Sequence, residues 1–370
     1  MRIVIKLGTS SLTNGSEHIS PPFLIDLARQ VQKLLAGGHE VALVSSGAIA
    51  AGREKLNFPQ LRKDIPAKQM LSAVGQPLLM ALYEQIFGLY NMVVAQVLLT
   101  RADLTDRKRY LNARNTLLAL LSQNLVAIVN ENDTVATEEI RVGDNDNLSA
   151  LVANLIDADL LILLTDQDGL FTADPRSNPD AELVAIVSED EIPAALWQAA
   201  GGSGSRLGTG GMITKLQAAD LARRSGTACV IANGKEPDVL LRLVDAQASL
   251  AGRLGTYFVP MASVLESRKR FILSARRAPG QLSVDNGALQ ALRRSGSLLP
   301  IGIVKVAGVF ERGDTVRVLD ENGREIARGI SNYGNADLAR IIRHRSDEIE
   351  SILGYIYGDE VIHRNDLVLL

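Results

Sequence analysis

The sequence predicts an α/β protein, an αβα sandwich around a mainly parallel sheet, followed by a small, mostly-β C-terminal domain. Three observations predict it. Short strands that are apolar on both faces alternate with longer amphipathic helices through about residue 260. Glycine-bearing or polar loops follow those strands, where an open parallel sheet binds its ligands. Beyond residue 267 the alternation gives way to short strand-like runs separated by turn signals. The expected layout is a first domain over 1–260, a linker over 261–275 and a second domain over 276–370.

In chain order, IVIKL (3–7) reads as the first strand. Ser20-Pro21 then supplies an N-cap and a proline at the first helical position, Leu24 to Leu35 keep the helical period, and Gly37-Gly38 stop it. VALV (41–44) is the next strand, with others at 93–99, 125–129, 160–164 and 228–232. Helical stretches separate them around 66–87, 110–123, 145–156 and 213–225. In the C-terminal part, Asn322-Gly323 between VRVLD and REIAR signals a hairpin. There is no internal repeat, and GGSGSRLGTGG (201–211) is the one strongly biased tract.

A chain of 370 residues exceeds one ordinary core, and 46% hydrophobic with 22% charged residues fits a globular protein. No apolar run reaches the roughly 18–20 residues that span a bilayer. The opening MRIVIKLGTSS lacks the features of a signal peptide. Cys229 is the only cysteine, so an intrachain disulfide is excluded, and it reads as a small apolar residue of a buried strand. These features point to the cytoplasm and to no membrane association. A net charge of −3 gives no general attraction to nucleic acid.

The loops carry the chemistry. Lys6 stands at the end of the first strand beside Gly8, an unusual place for a packing lysine. VSSGAIAAG invites a nucleophilic reading of Ser45 or Ser46, but a base is missing, since His18, His39, His344 and His363 all lie outside these loops. Hydroxyls and main-chain amides that clasp an anion fit better. GGSGSRLGTGGMITK ends at Lys215 and enters a helix, so glycines, a helix start and a lysine converge on a possible phosphate site. It matches neither the Walker nor the dinucleotide pattern. In VGDNDNLSALVANL, a calcium loop counted from Asp144 would put Leu148 and Ser149 at positions five and six, which fails. Helix capping explains one of the four polar residues but not all of them, with Asp133 and Asn132 nearby. Two lysines, glycine-lined anion sites and carboxylates without histidine or cysteine suit phosphoryl transfer, which asks for positioning and charge neutralisation.

The blocks IKLGTSSL, VSSGAIAAG, LTRAD, NENDTVATEEIRVGDNDNLSALVA, LLTDQDGLFTADPRSNP and GTGGMITKLQAA closely resemble the glutamate 5-kinase branch of the amino-acid-kinase family. The C-terminal SLLPIGIVKVAGVFERGD and ILGYIYGDEVIHRNDLV resemble a PUA domain, and the blocks occur in family order along essentially the whole chain. The resemblance implies transfer of the γ-phosphate of ATP, with Mg²⁺, to the side-chain carboxylate of L-glutamate, opening proline biosynthesis. It implies catalytic roles for Lys6, Lys215 and Asp146, the acid holding the two lysines. It places glutamate at Ser46, Gly47, Asn130, Asp133 and Asn145. The ATP side falls on Lys6, Gly8, Thr165, Asp166, Thr209, Gly210, Gly211, Met212, Ile213, Thr214 and Lys215. Asp144 and Asn147 are left without a role, and Mg²⁺ is expected to ride mainly on the ATP phosphates, with no protein ligands assigned. The family also implies feedback inhibition by proline, a homodimer or homotetramer, and handover of the labile acyl phosphate to glutamyl phosphate reductase. One departure is Ile301 after Pro300, where members often carry lysine. PUA domains elsewhere bind RNA, but residues 276–370 hold 13 basic and 13 acidic side chains, a net charge of zero without the positive footprint RNA binding leans on.

Overall fold

The computed structural model describes residues 1–62, 64–136, 145–201, 211–245, 254–261, 272 and 278–370. The chain divides into two units, one comprising Met1–Thr105 and Asn112–Val264, the other Asp106–Leu111 and Leu265–Leu370.

The first unit is built on eight strands, β1 (Arg2–Leu7), β2 (Glu40–Ser45), β3 (Val94–Leu99), β4 (Val126–Glu131), β5 (Leu160–Thr165), β6 (Ile186–Val187), β7 (Ala228–Asn233) and β8 (Thr256–Phe258). They lie in the order β3-β4-β2-β1-β5-β7-β8-β6, and every pairing is parallel except β7 with β8. Ile3, Val4, Ile5 and Leu7 are all fully buried, as are all six residues of β5 apart from traces. A strand apolar on both faces needs cover on both faces. The helices are α1 (Thr9–Leu12), α2 (Pro21–Ala36), α3 (Ala48–Lys55), α4 (Ile65–Gly88), α5 (Arg101–Thr105), α6 (Arg107–Ser122, from Asn112 onward in this unit), α7 (Asn145–Leu155), α8 (Ala194–Ala200), α9 (Met212–Arg224) and α10 (Val239–Asp245), and α2, α4, α7 and α9 pack directly on the strands.

The expected strands and helices recur within one to three residues, and α2 begins as its sequence demands. Ser20 Oγ accepts from Phe23 N, Pro21 opens the helix, and Gly37 ends it. The differences are instructive. β6 and β8 have two and three residues, too short for any periodicity, and β8 gives the sheet its antiparallel step. VSSGAIAAG is not all loop: Gly47, at φ +100°, turns the chain directly into α3. Asn130 lies within β4 rather than after it. Cys229 is fully buried in β7, and burial pushes its thiol up.

The second unit has its own sheet, from β9 (Gly280–Val284), β10 (Ile303–Ala307), β11 (Thr315–Leu319), β12 (Glu325–Ile330) and β13 (Leu367–Leu369), in the order β10-β9-β11-β12-β13. The predicted hairpin joins β11 to β12, with Gly323 at φ +78° and Asp320 Oδ1 accepting from Asn322 N and Arg324 N at 3.0 and 2.9 Å. Its core gathers Leu282, Phe310, Val316, Val318, Tyr333 and Ile362. Most of the expected linker, and the Arg268-Lys269-Arg270 cluster within it, lies outside the described residues.

α3 and α4 cross with their backbones nearly touching. A Cβ on Gly75 would come 1.8 Å from Ala48 O, and one on Gly52 would come 1.9 Å from Leu71 O. Gly75→Ala is therefore expected to force the helices apart and cost about 1–3 kcal/mol. Gly88→Ala, in the same helix with nothing within 4 Å, should be neutral or slightly stabilising. Thermal unfolding of the two variants checks this, and equal melting temperatures would contradict the close crossing.

Candidate active site

The carboxyl ends of β1, β2, β4, β5 and β7 fall along one edge of the sheet, and most of the residues expected to act lie there. β1 pairs with β2 and β5, which puts Lys6 level with Val44 and Leu163 near the strand ends. α7 begins at Asn145 and α9 at Met212, so both helices start at this edge.

Asp146 is the meeting point. Its carboxylate is fully buried, Lys6 Nζ lies 2.6 Å from Oδ1, and Lys215 Nζ lies 3.4 Å from Oδ2. Thr214 Oγ1 donates to Oδ2 at 2.6 Å. Lys6 and Lys215 are themselves only 5% and 7% exposed, so three charges share a nearly dry space. Burial alone would push the Asp146 carboxyl up. The Lys6 and Lys215 charges, with the hydrogen bonds from Lys6 and Thr214, outweigh it and hold the group below the usual carboxylate range. Gly8 adjoins this space, and a Cβ there would make only ordinary contact with Lys6 Nζ at 3.4 Å.

To one side lies a polar group of amides and hydroxyls. Asn145 Nδ2 donates to Ser46 Oγ at 3.0 Å, to Asn130 Oδ1 at 3.0 Å and to Ser45 O at 3.3 Å. Asp133 accepts from Ser72 Oγ at 2.5 Å, and burial raises its carboxyl despite that bond. Ser45 Oγ is engaged with Tyr83 Oη at 2.8 Å, which gives it a structural partner and no base. Gly47, beside Ser46, is at φ +100°, where any other side chain would be strained, and its Cβ position lies 2.9 Å from Leu12 Cδ1, which would have to shift.

To the other side, Thr165 ends β5 opposite Asn233, and Thr165 Oγ1 donates to Asp166 Oδ1 at 3.2 Å. Asn233 Nδ2 ties the following turn through Asp168 Oδ1 at 2.9 Å. Gly211 is the N-cap of α9 and has no side chain to cap it, so among the described residues the helix start presents main-chain amides of the kind that favour an anion. Thr209, Gly210 and Asp144 lie outside the described residues. Among the described residues, no three His, Cys, Asp or Glu side chains are grouped to hold a metal.

The sequence alone did not single out α4. Gln69 Nε2 donates to Ala136 O at 3.2 Å, Ser72 holds Asp133, and Gln76 Oε1 accepts from Asn130 at 2.9 Å. These residues sit at i, i+3 and i+7, one face of a helix. The i, i+3, i+7 spacing of Gln69, Ser72 and Gln76 is the available signal, diluted by Lys68, Glu84 and Gln85 in the same helix.

A folded-state pKa held below its unfolded value means that Asp146 stabilises the fold fully above the ordinary carboxylate range. That stabilisation is lost as pH falls through the depressed folded value. Asp146→Asn leaves two buried ammonium groups facing a neutral amide, and is expected to cost about 3–5 kcal/mol near neutral pH. Below about pH 4 the variant and the parent should converge. Melting temperature against pH checks this; a constant difference between the two proteins down to pH 2 would overturn the ion-pair account.

The amino acid kinase family model matches residues 1–233, and the PUA domain model matches residues 280–353. Glutamate 5-kinase of Shewanella oneidensis is 54% identical over 370 residues, covering 100% of this chain and 98% of that protein. Glutamate 5-kinase of Herpetosiphon aurantiacus is 54% identical over 369 residues, with 100% and 98% covered. That of Deinococcus radiodurans is 53% identical over 371 residues, with 100% of both chains covered. With a clamp of two lysines on one buried aspartate at the sheet edge and relatives matching over its whole length, the chain belongs to the amino acid kinase family.

Proposed function

We propose that this chain is a glutamate 5-kinase, transferring the γ-phosphoryl group of ATP to the side-chain carboxylate of L-glutamate. The observation that carries this reading is the Lys6–Asp146–Lys215 clamp, which adjoins the Asn145–Ser46–Asn130 group through consecutive residues of α7. A side-chain carboxylate is already ionised at neutral pH, so it needs no general base. One of its oxygens bonds to the γ-phosphorus while the bond from that phosphorus to the bridging oxygen of ADP breaks. No proton moves. This agrees with a site that brings carboxylates, lysines and amides together and leaves the histidines elsewhere.

The negative charge spread over the transferring group is what the protein must balance, and two ammonium groups against one carboxylate leave a net positive charge there. Asp146, enclosed by both lysines, keeps them aimed; it is not placed to take a proton. The start of α9, with Gly211 to Thr214, suits the phosphates of ATP, and Thr165 and Asp166 suit its nucleoside end. Ser46, Gly47, Asn130, Asp133 and Asn145 are the proposed glutamate residues. Mg²⁺ would arrive on the triphosphate and shield its charge. Proline shares the α-ammonium and α-carboxylate of glutamate, so inhibition by it should be relieved by raising glutamate. Turnover is assigned to residues 1–260.

ADP release coupled to a reporter, measured with glutamate, aspartate, N-acetylglutamate and UMP, tests the reading; glutamate should be the substrate, and its failure to release ADP would sink the assignment. Lys6→Ala and Lys215→Ala should each lower kcat by about 10²-fold or more, with a small effect on KM for glutamate. A rise in KM alone would contradict their role. Asp133→Ala and Asn145→Ala should do the reverse, raising KM for glutamate more than they lower kcat.

A further inference from the structure

Four amide side chains form a continuous line from an outer strand to the start of α7. Gln96 Oε1, on β3, accepts from Gln76 Nε2 at 3.3 Å. Gln76 Oε1, on α4, accepts from Asn130 Nδ2 at 2.9 Å, and Asn130 Oδ1 accepts from Asn145 Nδ2 at 3.0 Å. Every bond runs in the same sense, toward Gln96.

A primary amide can be turned end for end, so such a line could in principle run either way. Two main-chain groups decide it here. The Glu131 N–H donates to Asn130 Oδ1 at 2.8 Å, and a backbone N–H can only donate. The Ser45 carbonyl accepts from Asn145 Nδ2 at 3.3 Å, and a carbonyl can only accept. Asn145 Oδ1 therefore has to point away from Asn130 and Ser45. It is buried and has no hydrogen-bond partner among the described residues. A buried acceptor left in this state calls for a donor, and the ligand is the group able to bring one.

We propose that Gln76 is a positioning residue for substrate recognition, closing an amide relay that presents Asn145 Oδ1 as a fixed acceptor for the α-ammonium of the amino-acid substrate. The inference rests on the glutamate-kinase reading above. Gln76 is 9% exposed and Asn130 2%, so neither can exchange its partner freely for water. Without Gln76, Asn130 Nδ2 loses its acceptor, and the Asn130 side chain that supports Asn145 is held only through its oxygen, so the direction of Asn145 Oδ1 is kept but its position loosens. The relay then sets a preference by polarity. A substrate with an ammonium at this point satisfies the acceptor, and one with only hydrogens on that carbon leaves it stranded. Glutarate is that substrate: it is glutamate without the amino group, and it keeps both carboxylates.

The test compares kcat and KM for glutamate and glutarate in the full-length protein and in Gln76→Met, which conserves volume and removes both polar atoms. KM for glutamate should rise about tenfold, with kcat and KM for ATP little changed and glutarate unaffected. The glutamate-to-glutarate ratio of kcat/KM then falls about tenfold. A folded variant with an unchanged ratio, or one in which both substrates suffer equally, overturns the relay and leaves only a packing role. Should Gln76→Met not fold, Gln96→Leu at the exposed end of the line should lower the ratio at least threefold, and an unchanged ratio there overturns the proposal equally. Parent protein that releases no ADP with glutamate would instead bring down the kinase reading itself, a distinct result.

Discussion

Everything at the sheet edge depends on one carboxylate without access to water. An ionised side chain in such a place is expensive to bury unless opposite charge and hydrogen bonds surround it. Asp146 has both, from Lys6, Lys215 and Thr214. The dependence runs in the other direction as well, because two ammonium groups only 5% and 7% exposed could not stay this close together without it. The interaction thus draws β1, the start of α7 and the first turn of α9 to one point. It does so before any ligand binds, which is the condition for electrostatic stabilisation that needs no rearrangement during reaction.

The strand order turns this point into a divide. β1 lies centrally, with β2 and β4 on one side and β5 and β7 on the other. The proposed acceptor residues Ser46 and Asn130 belong to the β2 and β4 side. Thr165 and Asp166 follow β5, while Gly211 to Lys215 open the helix beside β7. Donor and acceptor would therefore approach from opposite flanks and meet over Lys6, an arrangement set by topology rather than by any one side chain. The parallel register fixes it further. A slip of one residue in β1 would send the Lys6 side chain to the other face of the sheet.

Much of this could be read from the residues. Strands such as LLILL and ACVIA declare themselves because both of their faces are apolar, and α2 because Ser20, Pro21 and Gly37 mark its ends. Lys6, Asp146 and Lys215 stood out through the company they keep in recognisable blocks. The two outermost strands did not, since Ile186–Val187 and Thr256–Phe258 are strands only by virtue of their neighbours. The near-contact of α3 and α4 was equally hidden, because Gly52 and Gly75 in a sequence look like weak helix residues until the opposing backbone is seen. The alignment of Gln76 with Gln96 is hidden for a related reason, even though Gln76 shares a helix face with Gln69 and Ser72. A glutamine in a helix or strand is usually a solvated surface residue, and nothing local shows that two of them line up with Asn130.

Asn145 and Asp146 are consecutive residues at the head of one helix, and about 100° of rotation sends one toward the acceptor group and the other toward the lysines. Because they share a peptide unit, neither can be moved without dragging the other. With the proposed roles of Asn145 and Asp146, selection for a different acceptor cannot proceed by reshaping this helix start, since any gain in fit would be charged against turnover. Innovation in substrate choice is thereby steered to segments mechanically decoupled from Asp146, the Ser46–Gly47 turn and the end of β4. The two residues proposed to hold the acceptor and the lysines would also channel how the site can evolve.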